Sequence, residues 1–107
     1  MSINDEIHVN DIGTAFTITI TEDGKPVDIS SATTKEFHFD KPNVDGKFTK
    51  DAEFKTDGTN GKIKYVSEEG VLDVPGDWKI QAHLVMPNGE WRTNVQTFMV
   101  FENINGG

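Results

Sequence analysis

The stretch Val74-Pro-Gly-Asp-Trp-Lys-Ile-Gln-Ala-His-Leu-Val-Met86 decides the fold of this chain. From Trp78 onward every second residue is apolar, and a period of two places these side chains on one face of a β-strand. Pro87-Asn-Gly-Glu90 follows, and an Asn-Gly pair tolerates the positive φ angles of a tight hairpin turn. The sequence therefore predicts a long strand, a turn, and a return strand near Trp91 that pairs antiparallel with it.

Upstream of this hairpin, groups of turn-forming residues recur at short and even spacing. They are Glu22-Asp-Gly-Lys25, Lys41-Pro-Asn-Val-Asp-Gly46, Asp57-Gly-Thr-Asn-Gly61 and Val74-Pro-Gly76. Segments of about seven to ten residues lie between them, a spacing typical of a β-sandwich and not of alternating strands and helices. We therefore predict an all-β fold: an immunoglobulin-like antiparallel β-sandwich of about seven strands with little or no helix.

Three segments depart from simple alternation. In Lys47 to Thr56, Lys50 shares the parity of the apolar residues, which predicts either a bulge or an edge strand near water. In the last strand the apolar parity changes before Phe98, which predicts a one-residue bulge near Gln96 and Thr97. A single helical turn is expected over residues 67–73.

The length of 107 residues fits one domain with one core. We predict a single domain over 1–107, with its core over 7–101 and a flexible polar tail over 102–107. No apolar run approaches the roughly 18 residues of a membrane span, and the first residues lack the features of a secretion signal. The sequence therefore predicts a soluble, untargeted chain without a membrane partner.

The chain is acidic, with a formal net charge of −8 from 18 acidic and 10 basic residues. A negative surface opposes the phosphate backbone, so nucleic acid is not an expected partner. Attraction to a basic partner and simple solubility both remain as explanations of the acidic surface.

Residues with the potential for catalysis or metal binding are sparse. The absence of cysteine removes disulfides, thiolate zinc sites and thiol catalysis. His8, His38 and His83 are far apart in the sequence, and the last two have the outward parity of their strands, so solvated or rim histidines are expected. Asp57–Gly61 resembles a fragment of a calcium loop but lacks its ligand spacing. We predict no metal and no cofactor.

Enzymatic activity is not expected. No serine lies in the strand-turn-helix elbow that a nucleophile needs, and the many carboxylates form no pattern with assignable roles. A small sandwich also offers little concavity for a cleft that excludes water. The sequence therefore predicts a non-enzymatic protein without catalytic residues.

Partner contacts are expected in the loops at the ends of the strands. Trp91 is open to two interpretations, since a hairpin tryptophan is either a binding anchor or part of the core. We predict contacts from Trp91, Asn88 and Glu90 in the hairpin and from Asn43 and Val44 in the loop between residues 41 and 47.

A series of motifs occurs in a distinctive order along the chain. They are Asn10-Asp-Ile-Gly-Thr14, Asp23-Gly-Lys-Pro-Val-Asp-Ile29, Ser31-Ala-Thr33, Phe37-His-Phe-Asp-Lys-Pro42, Gly61-Lys-Ile-Lys-Tyr65 and Val74-Pro-Gly-Asp-Trp78. In this order they resemble the N-terminal domain of phage baseplate upper proteins, and the likeness spans residues 7–101.

The resemblance implies a phage virion structural protein, made in the bacterial host cytoplasm, that docks into a tail tip or baseplate through protein-protein interaction. It implies that other virion proteins are the partners and that the protein forms a trimer or a higher ring. The resemblance does not decide whether the protein lies in the tail, baseplate, neck or head. The alternative is a carbohydrate-binding or adhesin-type immunoglobulin-like module. Sugar binding needs exposed aromatic faces, for which Trp91 and Phe48 are the candidates.

Overall fold

The computed structural model describes residues 7–42 and 46–103. These residues form eleven β-strands and no helix, so the all-β prediction is confirmed. The strands are β1 (Ile7–His8), β2 (Ala15–Thr19), β3 (Thr21–Glu22), β4 (Lys25–Pro26), β5 (Thr34–Asp40), β6 (Lys47–Asp51), β7 (Glu53–Phe54), β8 (Lys62–Val66), β9 (Gly76–Met86), β10 (Gly89–Arg92) and β11 (Gln96–Phe101). Within the described ranges no helix has the length and apolarity to cross a membrane.

Two sheets carry the fold. The large sheet has the order β1-β11-β9-β5-β6, and β10 also pairs with β9. The small sheet has the order β2-β8-β7, and β3 and β4 form a separate hairpin. β1 and β11 run parallel, whereas the other pairs are antiparallel.

The long strand β9 organises the large sheet. It pairs with β5 along one edge, and along the other with β11 near its beginning and with β10 near its end. Its inward side chains are at most 5% exposed and are Trp78, Ile80, Ala82 and Leu84. The predicted alternation is therefore confirmed, and it fixes which face of the sheet meets the core.

The core lies between the two sheets. The ring of Phe39 in the large sheet lies 5.6 Å from Phe16 and 5.9 Å from Tyr65 in the small sheet, measured between centroids. Trp78 is fully buried, and its indole N–H donates a 3.0 Å hydrogen bond to the carbonyl of Val74. Because this polar atom is satisfied, the largest side chain of the core is buried without an unpaired donor.

The strand count exceeds the predicted seven or so partly because the segment Lys47 to Thr56 changes sheets. The amide of Ala52 still donates to the carbonyl of Lys35 in β5, at 2.8 Å. Glu53 then pairs with Lys64 of the small sheet. The segment therefore begins as β6, an edge strand of the large sheet as predicted, and continues as the separate strand β7.

The last strand is interrupted earlier than predicted. β10 and β11 pair with β9 in registers that differ by one residue. This shift occurs over Thr93–Val95 and not near Gln96 and Thr97. Thr93 explains the position, because its amide donates to the carbonyl of Ala82 at 3.0 Å and its hydroxyl accepts the Ala82 amide at 2.9 Å. The predicted one-residue shift of register is therefore present, but it lies closer to the hairpin than predicted.

Two turn predictions are corrected by the structure. The β9–β10 turn consists of Pro87 and Asn88, since Gly89 already pairs with Met86, and neither Asn88 nor Gly89 has a positive φ. The predicted helical turn over residues 67–73 does not form, and bends and hydrogen-bonded turns occupy this stretch. At both positions the local composition predicted that the chain changes direction, but it did not predict the geometry of the turn.

The predicted flexible tail falls partly outside the described residues. Residues 104–107 lie beyond the described range. Asn103 lies within it, and its side-chain amide donates to the carbonyl of Val9 at 2.9 Å. The chain is therefore attached to the sheet edge at residue 103.

Candidate functional site

The β9–β10 hairpin carries Asn88, Glu90 and Trp91, which the sequence predicts as contact residues. Asn88 and Glu90 are exposed, and Trp91 is 47% exposed. Trp91 pairs with Leu84 across the two strands, so its side chain lies on the core-facing side of the sheet. Leu84 is 1% exposed. The buried core therefore includes Leu84 but not Trp91, which lies at the solvent-exposed rim of the core.

The ring of Trp91 lies against the backbone of Gly89. A β-carbon added at Gly89 would be only 2.7 Å from the Cη2 atom of Trp91. A larger residue at position 89 would therefore have to displace the Trp91 ring. The indole is held against its own hairpin while nearly half of the residue stays accessible.

Asn43 and Val44 lie outside the described residues, whereas the residues on either side of them are described. Asp40 pairs with Lys47 at the base of the loop. A β-carbon at Gly76, the first residue of β9, would be 2.9 Å from the side chain of Pro42. The hairpin begins at the other end of β9, about 33 Å away at 3.3 Å per residue. Pro42 and Lys47 therefore lie at the end of the sheet opposite the hairpin.

Further exposed apolar side chains follow the last part of the chain. Val95 is 55% exposed, and Met99 and Phe101 are each 42% exposed. Met99 and Phe101 alternate with the buried Val100, so they lie on the outer face of the large sheet. Sequence reasoning did not select them, although the same alternation identifies their outward direction.

The outer face also holds a cluster of two imidazoles and a carboxylate that sequence reasoning did not identify. The register of β5 and β9 places Glu36 opposite His83, and His38 lies two residues further along β5. The Oε1 atom of Glu36 is 2.9 Å from Nδ1 of His83 and 3.4 Å from Nε2 of His38. The two histidine rings meet edge to face, with centroids 5.5 Å apart.

Both histidines face outward as predicted, but their exposure differs. The side chain of His38 is 39% exposed, as a rim residue would be, whereas that of His83 is only 12% exposed. The pair Glu36-x-His38 was a usable signal, because residues two apart on a strand share a face. The third member follows only from the strand register.

Hydrogen bonding shapes the electrostatics of this cluster. The hydrogen bond with His83, aided by the one with His38, holds the pKa of Glu36 below its usual value, although partial desolvation opposes this effect. The Nε2 atom of His83 is buried, and among the described residues no hydrogen bond satisfies it. It lies 3.4 Å from Oε2 of Glu90, whose Oε1 is 3.4 Å from the Arg92 guanidinium.

A shallow depression of about 350 Å³ lies on the same face. Its lining includes His38, Asp40, Thr49, Lys79, Gln81 and Val95. Asp40 is the single carboxylate among the described residues that line it.

The Asp57–Gly61 turn uses its side-chain oxygens internally. Asp57 Oδ1 accepts the amide of Thr59 at 3.0 Å and its hydroxyl at 2.6 Å. These hydrogen bonds lower the pKa of Asp57. Asn60 Oδ1 accepts the amide of Lys62 at 3.1 Å. Asp57 Oδ1 and Asn60 Oδ1 thus both accept hydrogen bonds within the turn.

Comparison with known proteins gives the chain its family. No curated protein matches its sequence. A family model described as the BppU N-terminal domain, where BppU denotes the baseplate upper protein, matches residues 2–106. This match confirms the resemblance found in the motifs, and it covers essentially the whole chain. The chain therefore belongs to the family of baseplate upper protein N-terminal domains, which are structural components of the phage virion.

Proposed function

We propose that this domain is a non-enzymatic baseplate module that docks onto neighbouring virion proteins through its β9–β10 hairpin. Family membership supports the structural role in the baseplate. The observation that carries the docking site is Trp91, 47% exposed and lying against the backbone at the end of the sheet. Two sheets around one core support an immunoglobulin-like scaffold beneath it.

The position of Trp91 is favourable for binding. Tryptophan is enriched among the residues that dominate interface energies. Because its ring already packs on Gly89, it loses little conformational freedom when a partner covers it. Asn88 and Glu90 beside it provide the polar rim that surrounds such an anchor.

The assembly supplies the remaining affinity. Symmetric baseplates present many copies of each contact, so modest contacts add through effective concentration. The described residues that flank Asn43 and Val44 lie at the end of the sheet opposite the hairpin. We propose Asn43 and Val44 as a second contact, which would place the module between two neighbours in a trimer or ring.

Carbohydrate binding is less well supported. The ring of Phe48 stacks on Phe39, with centroids 5.0 Å apart and planes inclined by 13°. The Lys41 ammonium lies 5.6 Å from the Phe48 centroid. Phe48 therefore does not offer the free face that a sugar ring needs, which leaves Trp91 of the two aromatic candidates. Trp91-dependent hits on a glycan array would reverse this preference.

Trp91→Ala in the phage genome is expected to lower the copy number of this protein in purified virions at least about tenfold, the effect of losing a binding hot spot. Quantitative mass spectrometry of purified particles, using peptides that contain Trp78, measures the copy number. The purified variant domain should keep its thermal midpoint within a few degrees, because Trp91 lies at the open rim of the core.

Ile12→Ala is the matched control, since Ile12 is 66% exposed and lies outside the hairpin. It should leave the copy number unchanged. Normal incorporation of the Trp91→Ala protein would contradict docking through the hairpin, and unfolding of the purified variant would show that Trp91 acts in the core. Absence of the wild-type protein from virions would instead contradict the virion role itself.

A further inference from the structure

We propose that Glu36, His38 and His83 bind a divalent transition-metal ion, with Zn²⁺ as the reference ion. The three residues project from adjacent strands on the outer face of the large sheet. One ligand atom from each lies within 4.8 Å of the other two. The cluster borders the docking hairpin at Glu90 but lies on the outer face of the sheet, whereas Trp91 lies on the core-facing side. The metal proposal does not rest on the docking proposal.

The ligand atoms of the cluster lie close enough together to surround one metal ion after a small adjustment of the side chains. With metal–nitrogen and metal–oxygen bonds of about 2.0–2.2 Å, neighbouring ligand atoms in a tetrahedral site are about 3.3–3.5 Å apart. Glu36 Oε1 lies 2.9 Å from His83 Nδ1 and 3.4 Å from His38 Nε2. All three ligand atoms lie within 4.8 Å of one another. Metal binding would require rotation of the His38 ring, whose side chain is 39% exposed, to shorten the distance between the two histidine nitrogens.

The surroundings of His83 favour the same interpretation. A histidine that ligates a metal through one ring nitrogen commonly directs its other N–H at a carboxylate, which orients the ring. With Nδ1 of His83 facing Glu36, its buried Nε2 faces Oε2 of Glu90 at 3.4 Å and has no satisfied hydrogen bond among the described residues. Arg92 in turn contacts Glu90 at 3.4 Å. Glu90 therefore lies where a small movement would let it accept the N–H of a metal-bound His83.

The donor set defines the class of ion. Two imidazole nitrogens and one carboxylate oxygen suit Zn²⁺, Co²⁺ or Ni²⁺, whereas Ca²⁺ and Mg²⁺ prefer oxygen ligands throughout. Water completes the coordination, because the cluster opens onto the solvent side of the sheet.

Isothermal titration of the tag-free, EDTA-treated wild-type chain with Zn²⁺ tests the proposal. We expect one Zn²⁺ ion per chain. We also expect Co²⁺ to bind at the same site and to give visible absorption bands that differ from those of Co²⁺ in water. Ca²⁺ should produce no comparable heat. A folded wild-type protein that takes up no Zn²⁺ at millimolar concentration would overturn the proposal.

His38→Gln and His83→Gln should each weaken Zn²⁺ binding by at least about tenfold, since even outer-shell changes commonly cost 10- to 100-fold. The matched control is His8→Gln, because His8 lies on β1 and outside the cluster. Glu90→Gln should weaken binding less than either ligand variant does. Circular dichroism in EDTA verifies that each variant is folded.

The pattern across the variants decides between this site and adventitious binding. Equal losses in the His8 and His38 variants, or no loss in a folded His83 variant, would show that Zn²⁺ binds elsewhere and overturn the assignment. If the His83 variant does not fold, Glu36→Gln makes the same test with a change of nearly equal volume. Retention of full affinity by that variant would also overturn the proposal.

Discussion

Phe39→Ala is expected to lower the free energy of unfolding by about 3–5 kcal/mol, the usual cost of removing a buried aromatic ring. Phe39 is 1% exposed and lies at the centre of the aromatic core. Its ring lies 5.0 to 6.5 Å from the rings of Phe16, Phe37, Phe48, Tyr65, Trp78 and Phe98. The cavity would thus remove contacts to both sheets at once. Urea denaturation followed by circular dichroism measures the loss.

Phe101→Ala is the matched control, because it makes the same chemical change at a residue that is 42% exposed. We expect a loss below about 1 kcal/mol, since surface substitutions seldom cost more. Similar losses in the two variants would contradict the central position of Phe39. A loss large enough to unfold the Phe39 variant agrees with the prediction, because domains of this size have only about 5–15 kcal/mol of total stability.

Gly61→Ala is expected to cost about 2–5 kcal/mol, the second large effect. Gly61 has a φ of +73°, a conformation that costs a non-glycine residue about 1–2 kcal/mol. A β-carbon there would also lie 2.7 Å from the carbonyl oxygen of Ile20 and 2.8 Å from that of Val27. Because both obstacles are backbone atoms, relief requires a shift of the chain, which adds about 1–3 kcal/mol.

Gly70→Ala separates the two contributions. Gly70 has a similar φ of +81°, but nothing lies within 4 Å of its added β-carbon. It should therefore lose only the conformational part, about 1–2 kcal/mol. Chemical denaturation of both variants under identical conditions measures the difference. Equal losses would show that the contacts with Ile20 and Val27 are relieved without cost.

The core-facing strands were predictable because their signal is local. In β9 the alternation from Trp78 to Leu84 reports burial directly, since each side chain of a strand faces one side only. Leu72 is as deeply buried, at 0% exposure, yet it lies in a turn. Side chains in such a segment do not alternate regularly between two faces, so the sequence pattern does not report their burial. Leu72 is buried because of how the two sheets pack around it.

The candidate sites were predictable only in part. The predicted hairpin turn placed Trp91 in the return strand, but the 47% exposure of its side chain depends on where the buried core ends. The resemblance in the motifs identified the family, which the match over residues 2–106 confirms. The histidine cluster escaped prediction because Glu36 and His83 are 47 positions apart.

The sequence by itself determined the all-β class, the side of each long strand that faces the core, and the baseplate family. Alternation, turn residues and motif order are local features that do not depend on tertiary contacts. Tertiary structure alone decided which strands are neighbours. The register of β5 on β9 brings Glu36 to His83, and the interruption at Thr93–Val95 aligns β11 with β9. Register depends on contacts between distant segments, and a shift by one residue would turn every side chain of the strand to the opposite face of the sheet.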